Sequence, residues 1–488
     1  MQRFLSASRL ARLDPLSACA VAYVALPNLL FLVGYLTPLY GIAAGVAFAF
    51  AFVFVLGRTD GSRRAVPLAT VAIVLAVSGV WTLLGGIGHF VVAKLDWTVR
   101  DAVLLDLVRD PWPVVYDAMP DQLAMMLRAP IGFYLPAALI GKLFGIRAAE
   151  LTLLSWTVCG VFLTFLLMLR DDPKPRQILI RLSVFILFSG MDIVGTFTHY
   201  KAFVLGEHLE WWAFLFQYSS HTTQLFWVPN HALPGWIAIA WLLGHEGRRL
   251  PIQAAILIVA CTPLWSPLTA IGLALIFAAA IVAQWWRDGS WKDLAAAFDW
   301  RVVVPVAILA VLVYPYLLLS SALVGWGTNF DVPWGSDDFV LRYIEFVGLE
   351  FALIAALLLR RREHMALIAV ATLVLLLLPF YRFGPANDLA MRASIPALAL
   401  LALCVGRWLS TPYTDTRDAG ARVLVVMLLA VGAITPLMEV ARVFIEPRWE
   451  MDTHSSLIDV THGRAPHYLA PRNQPWAERF LGPSSVAH

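Results

Sequence analysis

Long apolar runs recur along the whole chain, separated by short polar breaks. They fall near 17–36, 40–57, 66–87, 149–169, 178–197, 230–246, 250–267, 268–286, 302–321, 341–359, 365–381, 393–409 and 423–441. Each approaches the ~20 residues that carry an α-helix across a bilayer. The stretch 250–286 is long enough for two short spans, broken where Pro263 and Pro267 flank Trp265 and Ser266. The pattern predicts an all-α, polytopic transmembrane helical bundle of about 13 spans.

Basic residues set the expected orientation. With the N-terminus inside, Arg3, Arg9 and Arg12, then Arg58, Arg63 and Arg64, then Arg170, Lys174, Arg176 and Arg181 all fall on the inner side. Arg248 and Arg249, Arg287, Lys292 and Arg301, Arg360 to Arg362, and Arg407, Arg417 and Arg422 follow them there. The alternation holds only if residues 131–147 (IGFYLPAALIGKLFGIR), interrupted by Pro136 and Lys142, do not cross. They read as a re-entrant or interfacial helix on the outer side, which leaves the C-terminus outside.

Composition agrees with a lipid environment. Hydrophobic residues make up 60% and charged residues 14%, with mean hydropathy +0.74; soluble chains carry roughly 25% charged residues. A soluble enzyme, a disordered chain and a secreted module are excluded. The net charge of +3 suggests no nucleic-acid partner. Cys19, Cys159, Cys261 and Cys404 lie inside apolar runs, as buried thiols do, rather than in the loops of a disulfide framework. No Walker loop, dinucleotide fingerprint or metal-ligand spacing is present, so neither a nucleotide nor a metal cofactor is indicated. Arg3, Arg9 and Arg12 lead into a span without a cleavage site, so the N-terminus is expected to be cytoplasmic and the first span retained in the membrane.

Chemistry in such a chain concentrates in outer loops and their junctions with helices. Loop 88–130 carries Asp96, Asp101, Asp106, Asp110, Asp117 and Asp121. Apolar positions at Val99, Val103, Leu104 and Leu107 predict an amphipathic helix lying on the membrane surface, with most of these aspartates on its solvated face. Asp96 opens that helix beside Trp97, and it either caps the helix or meets a substrate. Loop 198–229 offers His199, Lys201, His208 and His221, with Trp211, Trp212 and Trp227 as an interfacial belt or as platforms for sugar rings. Asp192, in FSGMDIVG near the outer end of a span, is either a functional carboxylate partnered by Lys201, Arg382 or Arg392, or a structural one. Arg382, Asn387, Asp388 and Arg392 sit around one outer turn, where the two arginines either snorkel or clamp a lipid-linked phosphate.

The order of these elements resembles the GT-C superfamily of polytopic glycosyltransferases. The resemblance rests on a span followed by an outer loop opening with an acidic residue (LDWTVRDAVLLDL), then PWP and APIGFYLPAALIGKLFG. It extends to FSGMDIVG, QYSSHTTQLFWVPNHALPGW and NDLAMRASIPAL, and covers most of 66–410. It implies two extra N-terminal spans (1–65), a GT-C-like transmembrane domain (66–441) and a short extracytoplasmic tail (442–488). It implies Asp96 as the catalytic base, with Arg100, Asp101, Asp192, His199, Lys201, His221, Asn230, Arg382, Asn387, Asp388 and Arg392 binding the donor. The implied reaction is an inverting transfer of a sugar from a polyprenyl-phosphate donor to a lipid or surface-glycan acceptor. The tail is too short for the soluble domain of an oligosaccharyltransferase, which turns the reading away from protein acceptors. A lipid-linked glycan flippase or transporter, a glycan polymerase or ligase, and a non-catalytic descendant of the fold remain as alternatives.

Overall fold

The computed structural model describes residues 13–56, 66–116, 124–171, 173–202, 206–245, 248–289, 295–319, 324–330, 339–413 and 415–483. Arg3, Arg9, Arg12, Arg58, Arg63, Arg64, Lys292, Asp117 and Asp121 lie outside the described residues. The chain is mostly helical. Its first helices are α1 (Pro15–Tyr35), α2 (Pro38–Leu56), α3 (Leu68–Leu84), α4 (Trp97–Arg109), α5 (Leu135–Phe144) and α6 (Ile146–Met168). Then come α7 (Pro175–Ile186), α8 (Asp192–Tyr200), α9 (His221–Trp227), α10 (Pro229–Leu243), α11 (Ile252–Cys261) and α12 (Pro267–Asp288). Later helices are named by their residues.

Among the described residues, seven helices are long and apolar enough to cross a membrane: α1, α2, α6, α12, Trp300–Leu318, Asp388–Ser410 and Thr416–Ile445. Four further apolar helices are only 10–17 residues long. An even row of about 13 full-length helices is thus not what the chain builds, and the causes are local. The run 178–197 stops as α7 at Ile186 and restarts as α8 at Asp192. The run 250–267 becomes the 10-residue α11, followed by a tight 3-10 turn at Thr262–Leu264 containing Pro263. The run 341–359 passes through a π turn at Gly348–Ala352. Residues 131–147 hold the 10-residue α5, which stops at Gly145 with φ 88° before α6 begins. Ten residues rise about 15 Å, half the thickness of a hydrocarbon core.

Burial places Asp388–Ser410 at the centre of the bundle: 94% of its apolar window is inside the protein. It packs against α7, α10 and α12. The approach to α12 is close enough that a Cβ at Gly272 would collide with the carbonyl oxygen of Ala393, so the glycine fixes this crossing.

Contacts sort the chain into two ends. At one end the start of α1 meets the end of α6 through the Asp14–Arg170 ion pair, Arg407 donates to the Leu243 carbonyl at the end of α10, and Arg361 pairs with Asp418. At the other end stand the starts of α4, α10 and α12 and the turn before Asp388. Asn230 and Leu243 are separated by about 20 Å of helix, and Arg392 and Arg407 by a similar length. The described basic loops and the expected outer loops therefore occupy opposite ends.

The tail closes the second end. Strand β1 (Val115–Tyr116) pairs with β2 (Met125–Leu127). A ribbon of β3 (Trp326–Thr328) and β4 (Tyr381–Phe383) stands apart. Strand β5 (Leu469–Pro471) joins β2 antiparallel, with Met126 opposite Ala470. Beyond it, Gly482 donates to the Tyr35 carbonyl at 2.8 Å, and the Trp476 indole donates to the Val311 carbonyl at 2.9 Å.

The tail also overturns the surface-helix reading of α4. Arg100, Asp101 and Asp106 are all buried. Asp106 accepts from the Tyr116 hydroxyl at 2.7 Å and from the Leu457 amide at 2.9 Å. Burial raises the Asp106 carboxyl to about 6, against the opposing effect of those two donors. The face expected to meet water is covered by residues the helix itself does not contain.

Candidate active site at the loop end of the bundle

Asp96 stands at the N-terminus of α4 with helical backbone angles, and its side chain makes no capping hydrogen bond. The capping reading is thereby removed. The carboxylate is 43% exposed and lies 3.6 Å from Arg100, one helical turn on. Arg100 is 5% exposed. It donates to Asn230 Oδ1 at 2.8 Å and to the Tyr134 hydroxyl at 3.2 Å. A buried guanidinium held from three directions is a fixed positive charge rather than a mobile one.

The opposite wall comes from α10, α12 and the Asp388–Ala393 helix. His231, the residue after Asn230, uses Nδ1 against Ser266 Oγ at 2.7 Å. Ser266 Oγ donates to Thr269 Oγ1 at 2.7 Å, and that hydroxyl contacts the carbonyls of His231 and Arg392 at 3.2 and 3.3 Å. One Ser–Thr pair at the start of α12 therefore clamps both His231 and Arg392. Arg392 reaches Asp388 at 3.4 Å. Thr269 thus ties the Arg392 backbone to His231, the neighbour of the Asn230 that holds Arg100.

Tyr468 completes the group. It follows the turn at Ala465, and Arg128 holds that turn by donating to the carbonyls of Pro466 and His467 at 3.3 and 3.4 Å. Burial raises the Tyr468 phenol above its ordinary range; Arg100 opposes this, Asp96 and Asp388 add to it, and Arg392 opposes it.

The site holds Asp96, Arg100, Asn230, Asp388 and Arg392 of the expected set. Asn387 supports it from behind. Buried and at φ 55°, Asn387 caps the next helix by accepting from Ala390 and donates to the Leu215 carbonyl at 2.8 Å. Its role is to shape the turn. Arg382 lies on β4 opposite Gly327 of β3, with its guanidinium beside that glycine.

Other candidates are placed elsewhere. Asp101 sits about 100° around α4 from Arg100. It pairs with His89 Nε2 at 3.1 Å, while His89 Nδ1 meets Glu150 at 3.1 Å. Burial works against the charge on His89, but hydrogen bonds to Asp101 and Glu150 prevail and raise its pKa to about 9. Asp192 is 1% exposed. It accepts from Ser189 at 3.0 Å, Trp212 at 3.1 Å and Thr435 at 2.8 Å. Those donors, and a contact with Glu350, take the place of the expected Lys201, Arg382 and Arg392. His221 is buried against Phe185 and Trp236 and bonds the Phe185 carbonyl at 2.8 Å. His199 is exposed beside Arg342, and Lys201 is exposed at the αL cap of α8. Loop 198–229 serves mainly as glue. His208 and Trp227 both hold Glu439, at 2.8 and 2.9 Å, and Lys94 approaches the same carboxylate at 3.5 Å.

His231, Tyr134 and Tyr468 escaped the sequence reading. His231 follows the selected Asn230 directly, and that adjacency was its one signal. Tyr468 had none, because nothing local ties the tail to α4. Among the described residues, no group of three His, Cys, Asp or Glu side chains is arranged to hold a metal ion. No family model, curated protein or solved structure matches this chain.

Proposed function

We propose that this chain is a multi-pass membrane glycosyltransferase of the GT-C kind. It moves a sugar from a polyprenyl-phosphate donor to a lipid or surface-glycan acceptor on the outer face of a bacterial inner membrane. In this reading the long helices and the shorter or broken ones together make 13 passes, with the N-terminus cytoplasmic and the tail outside. The observation that carries it is an exposed Asp96, free of any capping bond, paired with the Arg100 guanidinium that Asn230 of α10 and Tyr134 hold fixed, at the end opposite the described basic loops.

A carboxylate beside a fixed cation suits displacement at an anomeric carbon. Asp96 takes the proton of the acceptor hydroxyl, whose oxygen forms the new bond to the anomeric carbon. The bond from that carbon to the phosphate oxygen breaks, and the phosphate leaves with the electron pair. Arg392, with Arg100 behind it, stabilises that negative charge. His231 is held through Nδ1 by Ser266.

One observation favours a second reading, a lipid-linked glycan flippase. The break between α7 and α8 adds to the one at Thr262–Leu264, and transporters use pairs of broken helices. The purified protein separates the two. In micelles with polyprenyl-phosphate-sugar and acceptor, the transferase releases polyprenyl phosphate and forms a glycosylated acceptor. A flippase leaves the sugar–phosphate bond intact and instead moves labelled lipid between leaflets of proteoliposomes.

A further inference from the structure

A large cavity lies at the end of the bundle opposite Asp96, with a volume of about 990 Å³. It is bounded by the start of α1, the ends of α6 and α10, the start of α7, and the ends of the Leu353–Arg361 and Ile395–Ser410 helices. Leu16, Leu243, Leu358 and Ile368 give it aliphatic walls. Its polar lining has five guanidiniums, Arg170, Arg181, Arg248, Arg361 and Arg407, against three carboxylates, Asp14, Asp171 and Glu363.

The charge is fixed in place. Arg170 pairs with Asp14 and donates to Ser17 at 3.0 Å. Arg181 grips Asp171 with both arms of its fork. Arg407 is braced on the Leu243 carbonyl at 3.2 Å. Even with these pairs counted, cations exceed carboxylates in the cavity lining. Arg361 is held between Glu363 and Asp418 and stacks over the Trp408 ring.

We propose that this cavity binds the phosphate headgroup of an anionic membrane lipid, with its acyl chains along Leu358 and Ile368. The amphiphilic lining matches a lipid better than a free anion, which has no use for aliphatic walls. The position matches as well: the basic loops gather here, and the cytoplasmic leaflet, where such loops reside, holds the anionic lipids. The proposal is independent of sugar transfer.

The test uses the full chain, purified in neutral detergent and followed by thermal unfolding. Three probes are titrated: dioctanoyl phosphatidylglycerol, dioctanoyl phosphatidylcholine and inorganic phosphate. The phosphatidylglycerol is expected to raise Tm saturably while the other two leave it unchanged. Arg248→Gln and Arg407→Gln are each expected to weaken that response by about tenfold in half-saturating concentration, as loss of a charge-assisted hydrogen bond implies. Equal shifts from phosphatidylcholine would overturn the headgroup assignment, and a full response to phosphate alone would overturn the lipid assignment. Unchanged phosphatidylglycerol affinity in the variants would place binding elsewhere. Arg248 is exposed, so Arg248→Gln still tests the cavity if Arg407→Gln does not fold.

Discussion

Replacing Arg392 by Lys keeps the charge at the proposed phosphate site and removes the fork. The Arg392 side chain is 12% exposed and pairs with Asp388, at 3.4 Å within one helical turn. Such i,i+4 pairs contribute about 0.3–0.5 kcal/mol, so the folded protein loses little. The carbonyl of Arg392, held by Thr269, is untouched because it belongs to the backbone. Donor binding is affected differently. A hydrogen bond to a charged group contributes about 1.5–3 kcal/mol, and each 1.4 kcal/mol is about tenfold in affinity. The donor Kd is therefore expected to rise roughly 10- to 100-fold with Tm nearly unchanged. The assay is titration of the purified protein with polyprenyl-phosphate-sugar, alongside thermal unfolding of the same samples. An unchanged Kd would show that Arg392 serves the turn at Asn387 and not the phosphate.

Two further outcomes follow from the same contacts. Tyr468→Phe keeps the β5 pairing and removes a phenol whose ionisation Asp96 and Asp388 oppose and Arg100 and Arg392 favour; transfer should fall several-fold at constant Tm, and an unchanged rate would reduce Tyr468 to part of the wall. His89 has a raised pKa near 9, so its stabilisation is fully present below about pH 6.5 and is lost as pH rises toward 9. Thermal unfolding between pH 6 and 9.5 should show that decline, and His89→Gln should lower Tm at pH 6 and flatten the profile; a wild-type profile that is already flat would contradict the buried Asp101–His89–Glu150 arrangement.

Much of the site was legible because a membrane chain has few places for charge. Asp96, Arg100, Asp388 and Arg392 stand out against apolar surroundings at helix ends, and the order of spans brings those ends together. Asp101 was misjudged because adjacency in sequence is not adjacency on a helix: one residue turns it toward His89. For Asp192 the structural alternative matches its surroundings, with neutral donors Ser189, Trp212 and Thr435 in place of the charged partners expected. Span lengths failed where hydropathy cannot see backbone breaks, as at 187–191 and in the π turn at Gly348–Ala352. The tail was illegible for a different reason. Strands of two or three residues carry no periodic signal, so neither β5 nor the cover over Asp106 could be read from residues 442–488 alone.

The central claim is that Asp96 is a base and not a cap. It makes no capping bond, and its pair with the Arg100 guanidinium is long, at 3.6 Å, and half exposed. Asp96→Asn keeps the shape and an oxygen toward Arg100 but takes the carboxylate from that buried guanidinium, a loss of stability that thermal unfolding registers separately from turnover. Loss of a general base costs about 10²–10⁴ in rate, a barrier increase of roughly 3–5 kcal/mol. The decisive measurement is the turnover of purified Asp96→Asn protein with polyprenyl-phosphate-sugar and acceptor, at saturating donor and alongside thermal unfolding. The account predicts at least a hundredfold loss in kcat with donor Kd preserved. A folded variant that transfers sugar at the parental rate would contradict it.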